Sequence, residues 1–301
     1  MNLHQLFGQK RSCSGYLRLP TIFALAAAGR ASGISMALLT LLGVSSLVGP
    51  AQVAAEAATP DAAATARGLE IAVEADRRDT GFGDFLATIT MTLRNKHGES
   101  SERRMEVRTL EQAEDGDKSL IIFQNPGDVK GTAFLSFTHK SEPDDQWLYL
   151  PALKRVKRIA SSNKSGPFMG SEFAYEDISS QEVEKYTYQY LGEEEFDGRN
   201  HFMVERDPVD RKSGYSRQVA WIDTDEYRVW KVDFYDRRGS LLKTLTVSGY
   251  NQYLDQFWRA DLWLMVNHKT GKQTELSWEG FVFGNGYEDK DFNRNSLARA
   301  R

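Results

Sequence analysis

From Thr88 onward the chain is patterned with a period of two. Ile89, Met91 and Leu93 alternate with Thr88, Thr90 and Thr92, which is the signature of a strand with one face buried. Similar runs recur at Ser101 to Leu110, Leu120 to Phe123, Thr132 to Thr138 and Trp147 to Leu150. Further on come Tyr186, Tyr188 and Tyr190 on one face, then His201 to Arg206, Tyr215 to Asp223, Arg228 to Tyr235, Leu241 to Tyr253, Phe257 to Asn267 and Lys272 to Phe283. Turn-forming pairs separate them: His97-Gly98, Asp115-Gly116, Asn125-Pro126-Gly127, Asp197-Gly198, Arg238-Gly239 and Thr270-Gly271. The count is about a dozen strands in hairpin succession. No strand–helix–strand rhythm interrupts them, which argues against a parallel sheet. The pattern therefore predicts a mainly β chain, one long antiparallel sheet that curls.

Helical signals are few. Gly68 to Arg78 reads as a short helix with Leu69, Ala72 and Val73 on its apolar side and Gly81 as its stop. A brief helix is expected over Ser179 to Glu184, and a helical C-terminus over Asp289 to Ala300.

One stretch breaks the strand period. After Trp147-Leu148-Tyr149-Leu150, Pro151 interrupts the ladder and a basic run follows, Lys154, Arg155, Lys157 and Arg158 around Val156 and Ile159. Then comes a polar loop, Ala160 to Pro167, and an apolar group, Phe168, Met169 and Phe173, with no strand period of its own. Large apolar side chains in such a loop must cover something or be covered. The expectation is a lid over a hydrophobic cavity, lined by Phe168, Met169 and Phe173 and by Trp147, Tyr149, Trp230 and Phe234 from the sheet. Each sheet aromatic also fits ordinary core packing. The basic run fits either a charged edge strand that resists unwanted pairing or a docking patch for an anionic membrane or an acidic partner surface.

Composition changes the picture mainly at the N-terminus. Before Glu56 the chain has Lys10, Arg11, Arg18 and Arg30 and no acidic residue, then a largely apolar run from Ile34 to Gly49, then Ala55-Glu56-Ala57. This is the order of a secretory leader, with cleavage expected near residue 57 and a single domain over 58–301; uncleaved, the same segment would be an anchor. The lone cysteine, Cys13, lies inside the leader. An exported chain without disulfides suits a bacterial periplasm. With 301 residues and a formal net charge of −4, there is no electrostatic case for nucleic acid.

Catalytic templates find no support. His97, His139, His201 and His268 are isolated in sequence, so no metal site is expected. There is no G-x-S-x-G elbow and no phosphate loop, and Glu193, Glu194 and Glu195 read as a solvated strand end. No catalytic residue and no cofactor are assigned.

The runs DKSLIIFQNPGDVKGTAFL (Asp117 to Leu135), DDQWLYLPALKRVKRI (Asp144 to Ile159) and SSNKSGPFMGSEFAYED (Ser161 to Asp177) resemble those of the periplasmic LolA-like family, the outer-membrane lipoprotein-sorting proteins. SGYSRQVAWID (Ser213 to Asp223), FYDRRGSLLKTL (Phe234 to Leu245) and MVNHKTGKQTEL (Met265 to Leu276) fit the same group. The resemblance implies an unclosed antiparallel β-barrel whose helices and lid loop cap a hydrophobic cavity. It implies a non-enzymatic periplasmic carrier of lipoprotein acyl chains or another lipid, sorting it toward the outer membrane. It also implies an RND-type inner-membrane exporter as a partner, so an adaptor or accessory subunit of such an exporter is the alternative.

Overall fold

The structure is a computed structural model and describes residues 61–299. The leader expected at the N-terminus lies outside them. Asp61 accepts a hydrogen bond from Ala63 N and opens helix α1 (Ala62–Asp79). Thirteen strands follow in one antiparallel sheet. They are β1 (Asp84–Arg94), β2 (Ser100–Leu110), β3 (Lys118–Asn125), β4 (Ala133–Phe137), β5 (Asp145–Leu150) and β6 (Arg155–Ile159). After a long connection come β7 (Tyr186–Phe196), β8 (Arg199–Pro208), β9 (Tyr215–Asp223), β10 (Val229–Asp236), β11 (Leu241–Tyr253), β12 (Phe257–Asn267) and β13 (Gln273–Phe283).

The strand order is β6-β5-β4-β3-β2-β1-β13-β12-β11-β10-β9-β8-β7. Every neighbour but one is a hairpin neighbour; β1 pairing with β13 is the exception, and it joins the two halves. The sheet does not close, since β6 and β7 remain its two edges. The segment between them, residues 160–185, connects those edges.

Alternation assigns the two faces. Cross-strand partners Leu148, Phe134, Ile121 and Val107 form one row, continued by Ala87 on β1. From the other edge Val204, Ala220, Val232, Leu245 and Met265 form its counterpart. These residues, with Phe168 and Phe173 of the connection and Ile71 of α1, make the main core on what we call the inner face. The opposite face of β3–β5 carries a smaller core of Leu120, Ile122, Leu135 and Trp147, covered by Phe292, which follows the C-terminal turn Asp289–Asp291, and by Leu297 of the turn Arg294–Arg299.

Three local expectations are corrected. The apolar side of α1 is not Leu69 and Val73, which are exposed; Gly68 and Ile71 face the sheet. Gly68 allows the helix backbone to touch β7, where a Cβ would sit 2.8 Å from Tyr190 N. The helix expected at Ser179 to Glu184 is instead α2 (Tyr175–Ile178) and a separate turn at Val183–Lys185. The C-terminus is two 3₁₀ turns rather than one helix. Among the described residues, no helix is long and apolar enough to cross a membrane.

A polar-pinned strap across the inner face

The connection from β6 to β7 is a strap laid over the inner core. At its centre Met169 and Gly170 both adopt left-handed backbone, φ 50° and 79°. The chain reverses there, and Phe168 N donates to Phe173 O at 2.7 Å while Ser171 N donates to Phe168 O at 2.9 Å. The reversal aims Phe168 and Phe173 at the sheet, where both are 0% exposed. Phe168 sits 5.2 Å from the Phe134 ring, 6.1 Å from Phe123 and 5.5 Å from Tyr175. Edge-to-face packing of this kind adds to simple area burial.

Polar pins hold the strap at both sides. Arg103 on β2 donates to Met169 O. Glu172 N donates to Thr274 Oγ1 at 3.0 Å, and Asn267 Nδ2 donates to Glu172 Oε2 at 2.7 Å. The deepest pin is Asp177. Its Oδ2 accepts from Lys243 Nζ at 2.6 Å, each side chain being only 5% exposed, and from Ala174 N at 2.6 Å. Its Oδ1 accepts from Tyr215 Oη at 2.8 Å. Lys243 also donates to Glu172 O at 2.9 Å. Both oxygens of Asp177 and the Lys243 ammonium thus have hydrogen-bond partners, as a buried ion pair requires. Burial, reinforced by the Asp177 charge, raises the Tyr215 phenol well above its ordinary value, so it stays a donor.

A second pin lies one residue earlier. Glu176 accepts from Gly214 N at 2.8 Å and Ser213 Oγ at 2.9 Å. Burial raises its pKa, while those donors pull the other way. Gln146 Nε2 of β5 donates to Ser179 Oγ at 2.7 Å, and Lys164 pairs with Asp210 at 2.7 Å.

Of the residues expected to line a cavity, Phe168, Met169, Phe173 and Phe234 come together here. Phe234 lies beneath the deepest pin, its ring 5.0 Å from Tyr215 and 5.2 Å from Lys243 Nζ. The other three do not join them. Trp147 belongs to the core of the opposite face, and Tyr149 packs against that same core. Trp230 donates its indole N–H to Asp223 Oδ2 at 2.7 Å and packs between His201 and Tyr250. An aromatic residue in a strand announces burial, whereas the face depends on register, and bulges in β10 shift it.

The pins themselves were not singled out by sequence. A signal existed: Lys243 shares a strand face with Leu245 and Val247, and a lysine on the apolar side of a strand needs a buried partner. Four of the six family-like runs also meet at this point. Asp177 ends one, and Tyr215, Lys243 and Asn267 lie in the other three.

Two clefts flank the strap. One, about 280 Å³, lies at the seam between the two sheet edges and is lined by Gln146, Ile159 and Ala160 on one side and Tyr186, Pro208 and Val209 on the other. The second, about 290 Å³, lies beside Gly170 and Glu172 at the ends of β1, β2 and β13. With the strap docked, Phe168 and Phe173 occupy the apolar centre.

The basic run forms edge strand β6. Arg155, Lys157 and Arg158 are exposed, as is Lys154 before it. Arg158 pairs with Asp145; Lys154, Arg155 and Lys157 have no ion-pair partner among the described residues.

Comparison with known proteins agrees with this architecture. The model of a family described only as an uncharacterized protein matches residues 115–299. A domain from Vibrio parahaemolyticus, assigned to the outer membrane lipoprotein-sorting proteins, is 56% identical, with TM-score 0.77 over 78% of this chain and 100% of its own. A DUF1329 family protein from Desulfovibrio piger is 30% identical, with TM-score 0.74 over 78% of this chain and 99% of its own. A LolA superfamily protein from Nitrosomonas europaea shares the fold at 20% identity, TM-score 0.62, over 76% of this chain and 98% of its own. No curated protein matches the chain.

Proposed function

The chain belongs to the LolA-like outer-membrane lipoprotein-sorting family, and from that premise we propose that it is a periplasmic, non-enzymatic carrier that shelters acyl chains of a lipoprotein or another lipid on its inner face. The observation that carries this reading is the strap. Its apolar side chains cover an apolar face, yet its attachment to strands β2, β9, β11, β12 and β13 is polar. Lifting it would bare Phe123, Phe134 and Phe234 while leaving the ladder intact. An acyl chain replacing Phe168 and Phe173 gains about 0.8 kcal/mol per buried methylene. A chain of about 14 carbons therefore offers roughly 10 kcal/mol against the cost of ordering and of breaking the pins.

The test is organic extraction of the purified protein followed by lipid mass spectrometry, with a titration of a fluorescent acyl probe. A carrier yields bound acyl species, and Met169→Asp weakens probe binding without altering the β-sheet circular dichroism. Protein that is free of lipid and blind to the probe would remove the carrier reading. The half-buried Met169 is the better site for this substitution, because a carboxylate at the fully buried Phe168 would threaten folding as well.

A second reading has its own support. The unpaired cations of β6 favour a docking role, as in an adaptor or accessory subunit of an RND-type exporter. The two readings are compatible, since the strap and the outer edge of β6 are different surfaces.

A further inference from the structure

We propose that β6 is a docking edge for an extended acidic segment of a partner protein, which adds to the sheet as its next strand. This deepens the docking reading of the basic run and is independent of the carrier reading.

The backbone of β6 is available. Its one strand neighbour is β5, with Lys157 opposite Leu148 and Arg155 opposite Leu150. An antiparallel strand paired on one side leaves alternate N–H and C=O groups pointing away from its neighbour. Among the described residues, no backbone group of Val156 to Ile159 bonds to a segment outside that pairing. The other sheet edge differs: α1 lies against β7, close enough for Gly68 to touch the Gln189–Tyr190 backbone.

The side chains specify the occupant. Register puts Arg155 and Lys157 on the inner face, as the outermost members of rows that are otherwise Leu150, Leu148 and Phe134. Both are exposed and neither has an acidic partner among the described residues. Val156, between them, points to the opposite face and packs against the core around Trp147. A strand laid beside β6 places one residue next to each of these. The complementary pattern is acidic, apolar, acidic: two carboxylates beside Arg155 and Lys157 and a small apolar side chain beside Val156. Past Ile159 the same track meets the 280 Å³ cleft, whose lining is mixed: Tyr186, Pro208 and Val209 stand beside lysines (Lys140, Lys164, Lys185) and carboxylates (Asp144, Glu184, Asp210). On the side away from β5, β6 has no strand neighbour. Charges on an edge strand also discourage casual pairing. Here they would do both, rejecting neutral strands and admitting an acidic one.

The test uses the full domain and a fluorescein-labelled peptide, Ser-Glu-Val-Glu-Val-Glu-Ser, read by fluorescence anisotropy. Binding is expected at low salt and is screened as salt rises. The double variant Arg155→Glu, Lys157→Glu is expected to weaken it at least about tenfold, and a lysine-substituted peptide should recover binding to that variant. Replacing the valines of the peptide by proline should abolish binding, because proline cannot donate to a ladder. Equal binding of the proline peptide would show attraction of charge alone and overturn the proposal. So would no binding of the glutamate peptide at all. Vesicles of phosphatidylglycerol form a separate arm: binding that is lost in the double variant, with the peptide neither binding nor competing, would assign the edge to a membrane surface instead. If the double variant does not fold, the peptide substitutions decide the question on the native chain. Acyl-probe binding should be unchanged throughout, which separates failure here from failure of the carrier reading.

Discussion

Lys243 shows how much one residue can settle. It occupies an inward position of β11 between apolar neighbours, and its ammonium reaches Asp177 of the strap at 2.6 Å. Replacing it by Met would keep the volume and leave Asp177 buried with only Tyr215 and Ala174 N as partners. Stranding one member of a buried pair costs about 3–5 kcal/mol. Urea unfolding of Lys243→Met should show a lowered midpoint, and the double variant Lys243→Met, Asp177→Leu should regain much of the loss. Asp117 makes a different case. Burial and the nearby Glu182 push its carboxyl up to about 7. Its folded value is thus above the unfolded one. Between the ordinary carboxylate range and about 7 the folded chain holds a proton that the unfolded chain has released, so stability falls as pH rises through that window and levels off above it. Asp117→Asn should flatten this slope in urea titrations at about pH 5 and about pH 8. A remaining slope of the same sign is expected from Glu182, which burial also raises. The strand pattern marks Lys243 as needing a buried partner but does not name it, because that partner is remote: Asp177 lies 66 residues away.

At the scale of elements, the strands were legible and the irregular parts were not. Thr88 to Leu93 alternates because one face of β1 is core, and every long run after Tyr215 became a strand near its expected bounds. The periodicity of α1 points to the wrong face. Helical periodicity points to the larger residues, Leu69 and Val73, yet the contact is made by a glycine that lets two backbones meet. Gly68→Val should therefore undock the helix. Its Cβ would fall 2.8–2.9 Å from Tyr190 N and Gln189 C, backbone atoms that cannot rotate away. A cost of about 1–3 kcal/mol is expected, with faster amide exchange confined to α1 and β7; uniform exchange would show that the helix docks by other contacts. The strap eluded sequence reading in a similar way. Its apolar residues could be named as a lid, whereas its pins came from β9, β11 and β12, which only the folded sheet brings beneath it.

At the scale of the whole molecule, the open sheet and the strap form one device. A sheet of thirteen strands with its edges apart cannot bury its inner face by closure alone. The edge-to-edge connection does that work, so covering the face and joining the halves fall to the same residues. This coupling gives a direct test of movement. Glu172 of the strap and Thr274 of β13 are neighbours, linked by a 3.0 Å hydrogen bond from backbone to side chain, so they are the pair to cross-link, with disulfide formation checked by thiol titration before uptake is measured. The described residues contain no cysteine, so Glu172→Cys with Thr274→Cys adds one pair without competitors among them. Oxidation should fix the strap against β13 while leaving the seam at β6 and β7 untouched. If acyl chains reach the inner face by strap release, the oxidised protein takes up a fluorescent acyl probe far more slowly than the reduced one, and a reductant restores the rate. Equal uptake in both states would mean that lipid passes through the seam or does not reach this face. The readout is kinetic, so it stays informative even where the final affinity is the same.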